Sequence, residues 1–334
     1  MRGRAKLLIV ALVTLGAGAG LAVHDYLATV RKAEQRISGR SIVLPTSTGR
    51  MEYAVAGRGT PVLMIHGTGG GFDQGLTFTE RLLPHGFRVL APSRFGYLQS
   101  EFPPDPSSER QADAFVELLD HVGIDRIAVA GGSAGALSAA QFALRHPERC
   151  AALILVVPAA NVRNRDPVRM TPAQEAAVRQ LTGSNLLFWT ATRVARDRMI
   201  STLLATDPEL VRRASAGERA RAQRILHEIM PIERRSQGMR NDARLAGSPV
   251  RMDVSRIRCP TLVVSAEDDR FGTAATARDI ASAVPGARLL MFPDGGHIWV
   301  GHDERLWAQV ARFLRGVDRV DQPSARQGAA TASY

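Results

Sequence analysis

Five residues near the middle of the chain, Gly131-Gly132-Ser133-Ala134-Gly135, carry the strongest chemical signal in the sequence. They stand directly after the apolar run RIAVA (126–130) and directly before a helical pattern over 134–145. That is the strand–turn–helix setting in which G-x-S-x-G presents a nucleophilic serine. The reason is steric. So tight a turn leaves no room for side chains at its flanks, hence glycines, and it pushes the hydroxyl out of the sheet above a helix N-terminus. The competing reading is a glycine-rich turn that packs closely or cradles a phosphate. The chain holds neither G-x-G-x-x-G nor a Walker lysine, which weakens the nucleotide alternative. A serine hydroxyl is a poor nucleophile until a base takes its proton, and a carboxylate must fix the tautomer of that base. An imidazole and a carboxylate must therefore come from elsewhere in the chain.

The elements that would bring them together can be read from short apolar runs. VLMIH (62–66), FRVLA (87–91), RIAVA (126–130), ALILVV (152–157), TLVVSA (261–266) and RLLMF (288–292) suit buried parallel strands. A strand pair is expected over 41–44 and 51–56, turning at Ser47-Thr48-Gly49. Helical patterns at 75–84, 108–122, 134–145, 273–283 and 303–315 separate or follow the runs. Strands alternating with helices over this length indicate an α/β fold, a mostly parallel sheet with helices on both faces. The stretch 159–250 breaks the alternation; it has no strand run, many arginines, and helical patterns at 172–182, 185–205, 208–215 and 217–230. It reads as a helical cap inserted between a first core segment (41–158) and a second (251–318).

On these residues the chain resembles the α/β-hydrolase family over roughly 50–316. His66-Gly67-Thr68-Gly69-Gly70-Gly71 follows the strand VLMIH, like the family's H-G-x loop. The resemblance implies that backbone N–H groups of Thr68 and Ala134 form an oxyanion hole, and that His66 is structural. It also implies chain order: nucleophile, acid, then histidine. Glu267-Asp268-Asp269 follows TLVVSA, and counting from Ala266 gives Asp269 as the acid, with Asp268 second. Gly295-Gly296-His297 follows RLLMF as the histidine loop. The implied triad is Ser133, Asp269 and His297, all at carboxyl ends of parallel strands. Gly69, Phe72, Trp189 and Trp299 are expected to contact substrate; Asp73 and Gln74 either face it too or cap the helix near 76. Ser93 stands where many relatives have aspartate. His146 and His302 read as helix-end residues. Cys150 and Cys259 each precede a strand, and in the family's sheet order those strands are neighbours, so the pair is either bridged or two buried thiols.

A serine nucleophile argues against relatives that use aspartate, and points to hydrolysis of a carboxylic ester or related acyl bond through an acyl-enzyme. The alternative is a ligand-binding or scaffold protein on the same fold. The expected partner is a small-molecule ester or acyl compound. No cofactor is expected, and without H-E-x-x-H or a comparable cluster no metal either. The 334 residues carry a net charge of +11, almost all of it dispersed arginine with no zinc-finger or RNA-binding motif, which argues against nucleic acid. Arg2, Arg4 and Lys6 precede an uncharged apolar run over 7–23 that ends among small residues, so 1–23 reads as a signal peptide or a membrane anchor. Either places the rest outside the cytoplasm, secreted, periplasmic or held at the inner membrane. Residues 24–40 are expected to connect, and 319–334 to be disordered.

Overall fold

A computed structural model describes residues 2–162, 171–247 and 250–321, apart from the side chains of 2–13, 15 and 318–321. The remainder, including most of the tail expected to be disordered, lies outside the described residues.

Eight strands form one sheet in the order β1-β2-β4-β3-β5-β6-β7-β8. They are β1 (Ile42–Thr46), β2 (Gly49–Gly57), β3 (Thr60–Ile65), β4 (Phe87–Pro92), β5 (Ile127–Gly132), β6 (Cys150–Val156), β7 (Thr261–Ala266) and β8 (Arg288–Phe292). The hairpin β1–β2 runs antiparallel onto β4; the other pairings are parallel. Each expected strand is found, most within two residues at either end. Successive side chains point to opposite faces, and the apolar runs bury both. Leu63, Val129, Leu153 and Val263 enter one core; Val62, Ala128, Ile154 and Val264 enter the other.

Helix α1 (Arg2–Ile37) leads the chain, and α2 (Phe72–Phe78) follows β3. Helices α3 (Ser108–His121) and α4 (Gly135–Arg145) flank β5. Between β6 and β7 come α5 (Pro172–Thr182), α6 (Asn185–Val194), α7 (Arg196–Leu203), α8 (Pro208–Arg213), α9 (Ala216–His227) and α10 (Ser236–Gly247). Helices α11 (Thr273–Ala283) and α12 (Asp303–Asp321) complete the fold. One core takes α3, α4 and α11; the other takes α2 and α12. The inserted helices share a third core, containing Phe188, Ile200, Ile225 and Met239, into which α1 sends Ala33.

The structure sharpens one sequence expectation and departs from the sequence reading at two further points. Residues 24–37, read as part of a polar or helical connector, are helical and continue α1 without a break from the apolar run before them. The last turns of the helix are tied down: Arg36 donates to Asp73 at 3.1 Å and to the carbonyls of Glu228 and Met230 at 2.7 and 2.5 Å. The single helix expected at 185–205 breaks at Ala195. Helix α10 had no expected counterpart. Among the residues whose side chains are described, which leave out 2–13 and 15 of α1, no helix is long and apolar enough to cross a membrane. Cys150 and Cys259 sit at the entry ends of neighbouring strands as free, buried thiols, sulfur to sulfur 3.6 Å.

Packing at the β5–α4 turn explains its glycines. A Cβ at Gly135 would lie 2.4 Å from the Ile65 carbonyl oxygen, and one at Gly131 would lie 2.6 Å from the Ala139 Cβ. By contrast, a Cβ at Gly316 in α12 meets nothing within 4 Å. Gly135→Ala is therefore expected to destabilise the protein by about 1–3 kcal/mol or more, because backbone must move. Gly316→Ala is expected to stabilise it by roughly 0.5–1 kcal/mol. Urea unfolding midpoints of the two variants check both signs.

Candidate active site

Ser133 follows the last residue but lies outside β5, with φ at +51°, in the left-handed region. Its amide donates to the Val156 carbonyl at 2.9 Å, and its carbonyl accepts from Ala136 and Ala159. This pinned, strained turn aims the hydroxyl at the carboxyl edge of the sheet. Ala134 is the N-cap of α4, with its amide at the helix's positive end.

From the other side of the sheet's edge, Gly295 and Gly296 take positive φ values of 126° and 60° and turn the chain after β8 into a short 3-10 turn holding His297. His297 Nε2 lies 2.9 Å from Ser133 Oγ. His297 Nδ1 lies 2.8 Å from Asp269 Oδ2. The Asp269 carboxylate also accepts from the Thr273 hydroxyl and, at 2.9 Å, from the Phe271 amide. Burial works against the Asp269 charge, but the bonds from His297, Thr273 and Phe271 outweigh it and hold the carboxyl below its ordinary range. Asp268 does a different job: its Oδ1 accepts from the Gly296 amide at 2.8 Å and so braces the histidine loop. Phe271 packs edge-on to the His297 ring at 4.8 Å.

A cavity of about 130 Å³ opens over Ser133. Its walls are Phe78, Leu203, Leu204, Ile225, Ile229, Ile298 and Trp299, with Gly67, Thr68 and Gln74 at the base. Leu203, Leu204, Ile225 and Ile229 come from the inserted helices or the turns beside them, which close the site from above. No arginine, lysine or carboxylate is among its lining residues.

The expected substrate contacts separate. Trp299 does line the cavity. Gly69 does not; it packs under Ile229, and its amide donates to the Tyr97 hydroxyl. Phe72 is buried in the sheet's core, because the helix it begins turns that face inward. Trp189 packs edge-on against Tyr26 of α1, at a separate cleft between α1 and the insertion. Of the neighbouring pair, Gln74 reaches the cavity, while Asp73 is drawn away into ion pairs with Arg36 and Arg235. Ser93 has a structural partner: it donates to the buried Glu52 at 2.7 Å. His66 is fully buried; its Nε2 accepts from the Arg94 amide, and burial and the Arg94 charge keep it well below the usual histidine range, hence neutral. His146 pairs with Asp113, and His302 with Asp294.

The site also draws on residues that the sequence did not single out. Asp242 of α10, Arg94, Tyr97 and Arg235 form buried ion pairs and hydrogen bonds around the loop 66–71. Arg235 is fully buried at the end of the short turn Ile232-Glu233-Arg234-Arg235, whose charged residues look like solvated surface. Among the described residues no group of three or more histidine, cysteine, aspartate or glutamate side chains could hold a metal ion.

The family model described as alpha/beta hydrolase fold matches residues 60–300. The chain belongs to the α/β-hydrolase family. It is 30% identical over 274 residues to the 2-hydroxymuconate semialdehyde hydrolase of Pseudomonas putida, covering 78% of this chain and 89% of that one. An uncharacterized hydrolase of Bacillus subtilis, YcgS, is 26% identical over 80% of this chain and 94% of its own. Among solved structures, an α/β-hydrolase fold protein from Nakamurella multipartita superposes with a TM-score of 0.64 at 24% identity, over 82% of this chain and 99% of that one. A membrane phospholipase A superposes at 0.61 with 25% identity, over 95% of this chain and 99% of that one.

The α/β hydrolase also shows why its acid tolerance should be limited by a residue beside the site. Burial raises the cost of the Asp73 charge, but the Arg235 and Arg36 guanidinium groups hold its carboxyl below the ordinary value. A depressed folded pKa contributes stability that is present above the unfolded pKa and lost as pH falls through the folded one. Asp73→Asn is expected to be less stable than the parent at pH 7, with the gap narrowing below about pH 4, where the unfolded carboxyl protonates. Urea titrations at pH 7, 5 and 3 read this directly; a gap independent of pH would remove the electrostatic explanation.

Proposed function

We propose that this chain hydrolyses carboxylic esters with an apolar acyl group, through an acyl-enzyme on Ser133. The observation that carries the reading is the continuous relay Ser133–His297–Asp269 beneath a cavity with uncharged, apolar walls. In this scheme Ser133 Oγ attacks the ester carbonyl while His297 Nε2 takes its proton. The Asp269 carboxylate holds the imidazole by Nδ1 and stabilises the imidazolium that forms. The Thr68 and Ala134 amides receive the oxyanion; among the described residues neither is bonded to another backbone group. His297 then protonates the departing alkoxide, and a water activated by the same imidazole releases the acid.

A second reading comes from the relatives. Several are named as hydrolases of 2-hydroxy-6-oxo dienoates and dienedioates, which are carboxylate-bearing substrates. A buried carboxylate needs a cation or several donors. The cavity over Ser133 offers no arginine or lysine, which favours the neutral ester.

The N-terminal helix supports a reading of where the enzyme works. We propose that α1 is a retained anchor, holding the catalytic part outside the cytoplasm at the membrane face. Leu21, Val23 and Leu27 are exposed on it, and the membrane phospholipase A superposes over 95% of this chain, beyond the core the other neighbours cover.

A fluorophosphonate probe is expected to label the protein, and Ser133→Ala to abolish both labelling and turnover of p-nitrophenyl esters. Asp269→Asn should lower kcat by roughly 10⁴-fold. Butyrate to octanoate esters should be turned over faster than palmitate, and Ile229→Ala should shift that optimum to longer chains. Labelling without turnover across a broad panel would make the protein a binding module, and faster cleavage of a 2-hydroxy-6-oxo dienoate than of any ester would reverse the order of the two chemistries. For the anchor, the full chain should stay with the membrane fraction through a high-salt wash, and a version lacking 2–23 should be released; release of both would end that reading.

A further inference from the structure

Between His66 and Phe72 the chain reads Gly67-Thr68-Gly69-Gly70-Gly71, so Thr68 holds the only side chain in the loop. A run of glycines cannot hold itself in one conformation. It is held from outside, residue by residue. The His66 carbonyl accepts from Arg94 Nε at 2.9 Å, and the Gly67 amide donates to Gln74 at 3.1 Å. Thr68 Oγ1 donates to Asp242 Oδ2 at 2.9 Å, the Gly69 amide donates to the Tyr97 hydroxyl at 3.3 Å, and the Gly70 carbonyl accepts from Arg235.

Three of these holds, through Arg94, Thr68 and Tyr97, converge on one carboxylate. Asp242, only 2% exposed, accepts from both terminal nitrogens of Arg94 at 2.6 Å, from the Tyr97 hydroxyl at 2.5 Å and from Thr68. Burial and the Asp242 charge keep the Tyr97 proton in place, so Tyr97 donates to Asp242 and accepts from Gly69. Asp242 belongs to α10, the last helix of the insertion, whereas Thr68 belongs to the core loop beneath it.

We propose that Asp242 is a positioning residue, which sets the Thr68 amide through the Thr68 hydroxyl so that the oxyanion site is complete only while α10 is seated. The inference rests on the ester-hydrolase reading, in which the Thr68 amide receives the oxyanion. Such a donor must lie within hydrogen-bond reach of an oxygen that exists only at the tetrahedral stage. Losing its tether therefore weakens transition-state binding while leaving the apolar walls that bind the ground state.

The test is a comparison of Thr68→Val and Thr68→Ser, with a phenylboronic acid as a tetrahedral analogue. Thr68→Val leaves the Arg94–Asp242 pair intact, whereas Asp242→Asn weakens the charge facing buried Arg94 and is open to a folding defect. Thr68→Val is expected to lower kcat by roughly 10- to 100-fold with KM little changed. The boronate inhibition constant should rise by the same factor. Thr68→Ser should recover most of both losses. A Thr68→Val variant with parental kcat overturns the proposal, and so does a loss that appears in KM alone or leaves boronate affinity untouched. Failure of the underlying reading looks different: turnover would survive Ser133→Ala, or the parent protein would resist the fluorophosphonate probe.

Discussion

Two backbones meet at Gly135 with no space for a methyl group between them. That closeness fixes the geometry of the site. Helix α4 can start only one turn beyond β5, Ser133 is forced to positive φ, and its hydroxyl has one direction to point. The last residue of β3 and the first of the loop after it supply the carbonyl oxygens that crowd Gly135, so the elbow and the glycine loop are a single packed unit. The parallel register of β5, β6, β7 and β8 then delivers Asp269 and His297 to the same edge from residues more than a hundred positions later in the chain.

The insertion is joined to this unit by charge as well as by apolar contact. Arg94 with Asp242, and Arg235 with Asp73, are buried pairs that cross from the core to the inserted helices. Buried pairs add little net stability over well-packed apolar residues, but removing one partner is costly because the other charge is left in a poor solvent. Their value is in specifying one arrangement: the cationic forks and the carboxylates fit in one geometry. Apolar walls from Leu203, Ile225 and Ile229 then lie over Ser133 in a defined position.

Much of this was legible in the sequence because it follows from local rules. Apolar runs of five or six residues marked the parallel strands, and the glycines around Ser133 and before His297 marked turns that side chains would block. Counting from Ala266 separated Asp269 from Asp268, and the structure gives them distinct partners. The wall of the cavity was legible only in part: Trp299 lines it as expected, but most of the rest was not. Phe72 and Trp189 are large and apolar, yet their faces are decided by how α2 meets the sheet and how α6 meets α1. Asp242 and Arg235 were invisible for a related reason. In a segment crowded with arginine, a charge that pairs inside the protein has the same local signature as one that faces water.

The three tryptophans occupy three different environments, which makes the protein its own optical instrument. Trp299 lines the cavity over Ser133, Trp307 on α12 is sealed in the core between that helix and the sheet, and Trp189 sits where α1 meets the insertion. Emission from each answers a separate question: occupancy of the cavity, integrity of the sheet's packing, and docking of the N-terminal helix. Single-tryptophan versions would let those events be followed independently in one molecule, without an added dye.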